Sequence, residues 1–289
     1  MTKIIKYNLK LNWKLLLLFI TFWTIFALSI MFIFNLGNSK IFIAPTNIII
    51  ESGISGLQSL NFPLTFIIFG FPTIVLFSIF SISLNSITFT NEIKTGQISF
   101  WMTSPIKKES IYLGKIIYIF ISLSFIYIVG LIPIFTFGIL AEDSSKYFGL
   151  IIANSILFWL FLIALSSIFM LVSMITIEKG NLGLIINCCI ITYILITWIL
   201  TSLSKLNIES LKWAEFVKYI SLQSLSVDLL SFSKAPSELN FYKEINYISG
   251  NHVSPNSAWL ILSIFFNIII IATITLVNVK IFKVSDLNI

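Results

Sequence analysis

The sequence predicts an all-α integral membrane protein with six transmembrane helices, and three observations carry that prediction. Of its 289 residues, 57% are hydrophobic and 10% charged, with a mean hydropathy of +1.01, far outside the range of a soluble domain. Six apolar segments reach the roughly 20 residues that a helix needs to cross a hydrocarbon core about 30 Å thick. They are residues 15–36, 64–90, 116–141, 150–177, 182–204 and 257–279, and no Asp, Glu, Lys, Arg or His falls inside any of them.

Residues 1–14 precede the first span. At about 100° per residue, Lys3, Lys6, Lys10 and Lys14 fall within an arc of about 80°, while Ile4, Tyr7 and Leu11 cluster beside them. That pattern predicts an interfacial helix lying along the inner leaflet, its ammonium groups near lipid phosphates. The apolar run that follows is too long for a signal-peptide core and lacks a small-residue cleavage site, so it counts as a span. Residues 37–63 read as an exterior loop punctuated by Pro45, Gly53 and Gly56, with an apolar turn at residues 48–50.

The second and third spans, 64–90 and 116–141, bracket a compact charged module over residues 91–115. The fourth and fifth spans follow closely. Residues 205–256 form a longer exterior segment, in which Leu211, Ala214, Val217 and Ile220 recur at helical spacing and predict short amphipathic helices at the outer surface. An irregular stretch around Pro236, Gly250 and Pro255 leads to the last span. No internal repeat or low-complexity linker divides the chain, so residues 1–289 form a single membrane domain.

Orientation follows from the lysines. Placing both termini in the cytoplasm puts 11 of the 18 lysines inside, whereas the other seven are spread over longer exterior loops that hold eight of the 12 acids. All 18 basic residues are Lys, a bias expected of an AT-rich bacterial genome. The net charge of +6 therefore reflects loops beside a membrane, and nucleic acid is not an expected partner.

Several function classes lose their chemistry. Cys188 and Cys189 are adjacent within an apolar run, where they suit packing better than a disulfide or a metal. The single histidine, His252, lies in a polar loop, so paired-histidine metal or haem sites have no ligands. Ion-coupled carriers usually keep ionisable groups at membrane depth, and the spans have none; Asn85, Asn154, Asn187 and Asn267 suit interhelical hydrogen bonds. The G-x-x-x-x-G-K-[ST] phosphate loop is also missing, because Ile116 follows Gly114-Lys115 and position 109 is Glu. An ATPase, if one drives this chain, is another polypeptide, and no catalytic residue, cofactor or metal is expected here.

The module reads NEIKTGQISFWMTSPIKKESIYLGK from Asn91 to Lys115. Ile98, Phe100, Trp101 and Met102 form an apolar turn bounded by Gly96 and by Ser104-Pro105, which suits insertion into a groove of a partner. Lys107 and Lys108 anchor the next helix at the headgroups.

This string resembles the cytoplasmic loop of permease subunits of type-2 ATP-binding-cassette (ABC) exporters. The usual form there is Glu, a basic residue, Gly-Thr-Leu, an apolar run, Ser-Pro-Ile, a basic pair, and Gly-Lys opening the third span. Glu92, Lys94, Gly96, Ser104-Pro105-Ile106, Lys107-Lys108 and Gly114-Lys115 match it, with Gln97 where Thr is common and Lys107 where Arg is common. The segment VKYISLQSLSVDLL also resembles the region before the family's last span.

The resemblance implies a pair of permeases, identical or related, on a pair of ATPase subunits that bind ATP and Mg. The loop helix would couple ATP-driven closure to the spans through Glu92, Lys94, Gly96, Gln97, Phe100, Trp101, Ser104, Pro105, Lys107, Lys108, Gly114 and Lys115. It further implies the bacterial cytoplasmic membrane as the location. Aromatics on the second span, Phe66, Phe69, Phe71, Phe77 and Phe80, favour a hydrophobic or amphipathic cargo such as a peptide, antibiotic or lipid. The alternative reading is a non-transport anchor, assembly or sensory component that recruits a soluble partner through the same loop; a secondary carrier is the weaker third.

Overall fold

The computed structural model describes residues 2–36, 64–97, 107–140, 144–177, 179, 181–204, 213, 216–217, 219–226 and 257–284. Among these residues the chain is helical apart from short turns, without a strand, and it carries six helices long and apolar enough to span a membrane. The protein is a multi-pass membrane protein. A backbone with no water to bond to satisfies itself internally, which is why apolar runs of this length become helices.

Helix α1 (Thr2–Leu36) is one unbroken helix of 35 residues, about 52 Å long. The separate interfacial helix expected over residues 1–14 is therefore not a distinct element. No Gly or Pro interrupts the segment, and its stripe of Ile4, Asn8 and Asn12 is buried. Lys3, Lys6, Lys10 and Lys14 remain exposed on the opposite side.

Helix α2 (Phe71–Lys94) follows a π-helical turn at Leu64–Ile68, and Pro72 opens it where a missing backbone donor is harmless. A second π-helical stretch, Ser86–Asn91, widens its last turns. Helix α3 (Lys108–Leu140) begins eight residues before the expected span, and Pro133 sits within it. Helices α4 (Ser144–Ile175), α5 (Leu182–Ser204) and α6 (Ser257–Val284) follow.

The helices form an inner and an outer set. More than half of the most apolar stretch of α2, α3 and α4 is buried, against under a quarter for α1, α5 and α6. Helix α1 packs chiefly on α3, and α6 chiefly on α4. The α1–α3 contact depends on Gly130: a Cβ there would lie 1.8 Å from Trp23 Nε1. The indole fills that notch and donates to the Tyr127 carbonyl at 3.4 Å. Phe77 meets Trp23 and Tyr127 edge-on, at 5.3 and 5.7 Å between centroids.

Phe69, Phe77 and Phe80 are thus packed inside the bundle, and Phe71 stacks on Trp198. Tight aromatic packing leaves Phe69, Phe77 and Phe80 little free surface within this chain, and Phe71 is partly buried. The side chain of Phe66 lies outside the described residues. Cys188 and Cys189 are free and exposed on the outer helix α5, not packed between helices.

At the end opposite the termini, a 3₁₀ turn (Leu222–Leu225) inserts between α5 and α6. Tyr193 donates to the Ile220 carbonyl at 2.7 Å, and Asn267 to the Leu225 carbonyl at 3.1 Å. Asn267 stands ten residues into α6, about 15 Å from its start, so the segment dips into the bundle. Of the segment expected to form amphipathic helices at the outer surface, Trp213, Phe216, Val217 and Tyr219 also have 3₁₀ geometry, and Leu211 and Ala214 lie outside the described residues. The loop over residues 37–63, and residues 205–212 and 227–256, lie outside the described residues.

Candidate functional site

The connection between α2 and α3 is the candidate site. Helix α2 ends by ordinary backbone chemistry: Thr95 caps it, with its hydroxyl bonded to the Asn91 carbonyl at 2.7 Å. Gly96 then adopts φ +69°, the left-handed conformation that glycine takes without a Cβ penalty, and its N–H bonds the Ile93 carbonyl at 3.1 Å. The Gly96 predicted to punctuate the module is thus a helix terminator. On the far side, Lys107 opens α3, its carbonyl accepting from Ser110 and Ile111.

Beneath this turn, the Lys115 ammonium donates to the Glu92 carboxylate, and the pair is buried, with side-chain exposures of 0% and 3%. Lys115 also donates to the Thr88 carbonyl at 2.6 Å, within the π-helical stretch, and its Nζ sits 5.4 Å from the centroid of Phe89. Phe89 packs on Tyr112, and Tyr112 on Phe282 of α6, each at 5.1 Å. One ion pair therefore ties α2 to α3, and an aromatic row continues the tie to α6.

Burial sets the energetics. A desolvated ion pair is not in itself strongly stabilising, yet removing one partner leaves an uncompensated charge and costs about 3–5 kcal/mol. A second pair, Glu109 with Lys283 at 2.9 Å, links α3 to the end of α6 but is largely exposed and contributes little. Gly114 completes the base: a Cβ there would touch Ile4 at 3.4 Å, so α1 rests against α3 at this level.

The predicted site residues separate accordingly. Lys94, Gln97, Lys107 and Lys108 are exposed around the turn, and Gly96 is partly so. Glu92, Gly114 and Lys115 are buried below it. The structure turns these three of the expected coupling residues inward, because their helices reach beyond the predicted span limits and pack there. Phe100, Trp101, Ser104 and Pro105 lie outside the described residues. The four N-terminal lysines surround the same end of the bundle, since α1 starts beside Gly114.

Sequence reasoning missed the Glu92–Lys115 pair by counting both residues as loop. The available signal was a pair of opposite charges placed one turn or less beyond the facing ends of consecutive, antiparallel spans. It also missed Asn8, Asn12 and Asn278, all buried. Of the asparagines it named, Asn187 of α5 donates to Ser173 of α4 at 3.5 Å as expected and Asn267 bonds the 3₁₀ turn, whereas neither side-chain polar atom of Asn85 has a partner among the described residues. Among the described residues, no three His, Cys, Asp or Glu side chains come together to hold a metal.

Comparison with known proteins gives no matching family model, no matching characterised protein and no matching solved structure.

Proposed function

We propose that this chain is the permease subunit of an ATP-driven exporter of the ABC type, and that the turn between α2 and α3 receives its ATPase. The observation that supports the reading best is the clamp at the base of that turn. Glu92 and Lys115 join the ends of two spans, so a push on the turn moves α2 and α3 together instead of splaying them. A flexible loop would absorb the same push locally.

In this reading Lys94, Gln97, Lys107 and Lys108 contact the ATPase around the rim, Phe100 and Trp101 are its apolar anchors, and Ser104-Pro105 sets the second edge. Gly96 shapes the turn, while Glu92, Gly114 and Lys115 transmit. ATP and Mg are bound by the partner, and this chain has no catalytic group or cofactor of its own. A second permease, identical or related, completes the translocation path against the apolar outer helices. The assembly sits in a bacterial cytoplasmic membrane with both termini cytoplasmic, where Lys3, Lys6, Lys10 and Lys14 face lipid phosphates. A hydrophobic or amphipathic peptide, antibiotic or lipid is the cargo.

Purification of the tagged chain in mild detergent, with mass spectrometry and an ATPase assay of the complex, tests the proposal. A co-purifying ATPase with a phosphate-binding loop, lost on Trp101→Ala or Gly96→Pro while the permease still inserts, supports it. A stable chain that retains some other soluble protein, with no ATPase, replaces it with the anchoring or sensory reading.

A further inference from the structure

The termini end of the bundle holds buried polar atoms without a hydrogen-bond partner among the described residues. On α2 these are the side-chain amide of Asn85, the hydroxyl of Thr88 and Glu92 Oε1, the carboxylate oxygen that Lys115 leaves free. On α3 they are the hydroxyls of Tyr118 and Ser122, and on α6 the amide of Asn278. All six residues are at most 3% exposed. The Tyr118 hydroxyl lies beside Ser122 and beside Asn12 of α1, without a well-directed hydrogen bond to either.

These groups occupy the first two turns below the ion pair. Helices α2 and α3 run antiparallel and are pinned by Glu92 and Lys115. Seven residues back along α2 stands Asn85, and seven residues forward along α3 stands Ser122, each about 10 Å deeper. Lys115, Tyr118 and Ser122 follow one another at i, i+3 and i+7 on a single face of α3. Asn278 precedes Phe282 by one turn, and Phe282 packs on Tyr112 near the base of α3. Helices α1, α2 and α3 thus contribute to one polar layer about 10 Å deep, between the ion pair and the aromatic core around Trp23.

We propose that this layer is a water-binding site: ordered water molecules bridge Asn85, Ser122 and Tyr118 to the free oxygen of Glu92. Left dry, so many unpaired donors and acceptors would together outweigh the net stability of an ordinary fold. Buried water is the usual remedy where several polar groups converge. The ligand is neutral water and not a cation, because the Lys115 ammonium already occupies the carboxylate and repels a second positive charge. The inference does not depend on which partner docks on the turn.

X-ray radiolytic footprinting of the full chain in lipid nanodiscs tests it, because hydroxyl radicals made from bound water modify side chains that bulk solvent does not reach. Tyr118 (0% exposed) and Phe80 (1%) are equally buried, and Phe80 lies in the apolar core. Tyr118 is expected to be modified several-fold faster than Phe80, with most of that excess lost in Asn85→Leu. Modification of Tyr118 at the Phe80 rate in the unaltered chain overturns the proposal, whether or not Asn85→Leu folds. A thermal stability higher in sodium or potassium chloride than in choline chloride at equal ionic strength assigns the layer to a cation and likewise overturns it.

Discussion

Replacing Lys115 with Met removes the cation while keeping most of the side chain's length and apolar volume. Two losses follow: Glu92, 3% exposed, keeps a carboxylate with no counter-charge, and the Thr88 carbonyl loses its 2.6 Å donor. For a pair buried to this degree the expected loss of stability is about 3–5 kcal/mol. Lys115→Met combined with Glu92→Leu removes both charges and is expected to recover most of that loss, because an apolar pair of similar volume often replaces a buried ion pair without penalty. The assay is SDS-induced unfolding in mixed micelles, followed by tryptophan fluorescence, across the two single variants and the double variant; the cycle isolates the pairwise term. Lys283→Met, which breaks the exposed bridge to Glu109, is the control and is expected to unfold like the unaltered chain. A loss below about 1 kcal/mol for Lys115→Met, the level of an exposed pair, would refute the clamp. So would a double variant as unstable as the sum of the singles.

Gly130→Ala places a methyl group 1.8 Å from Trp23 Nε1 and 1.9 Å from its Cδ1, so the indole must leave its notch. The expected loss is about 1–3 kcal/mol with a shifted Trp emission, relieved by Trp23→Leu in the same chain; unchanged emission and stability would contradict the packing. Gly96→Ala meets no neighbour within 4 Å, so its effect is the backbone strain at φ +69° alone, about 1–2 kcal/mol, and Gly96→Asn is expected to lose less in the same unfolding assay. Trp101→Ala is expected to abolish co-purification of the ATPase without lowering insertion into the membrane; undiminished co-purification removes Trp101 as the anchor.

Much of the fold was legible because the membrane imposes a local rule. Helix α5 spans the residues its apolar run predicts, and α6 starts where expected. The limits at the charged ends were not legible. Helices α2 and α3 continue to Lys94 and from Lys108, and α1 begins at Thr2, because neighbouring helices there supply burial and hydrogen bonds that no local stretch of sequence displays. In the candidate site, Gly96 and the exposed lysines were readable as turn and rim. The inward role of Glu92, Gly114 and Lys115 was not, since each looks like a loop residue until α1 and α2 are packed against α3.

The six apolar helices among the described residues follow from the sequence alone, since the transfer of an uninterrupted run of about 20 apolar residues into hydrocarbon depends on that run alone. Only the tertiary structure decided which polar groups face one another: Glu92 with Lys115, Asn12 with Tyr118, and Trp23 with the notch at Gly130. Those encounters depend on the relative rotation and height of helices distant in the chain. Shape complementarity sets both quantities, and no window of consecutive residues contains it.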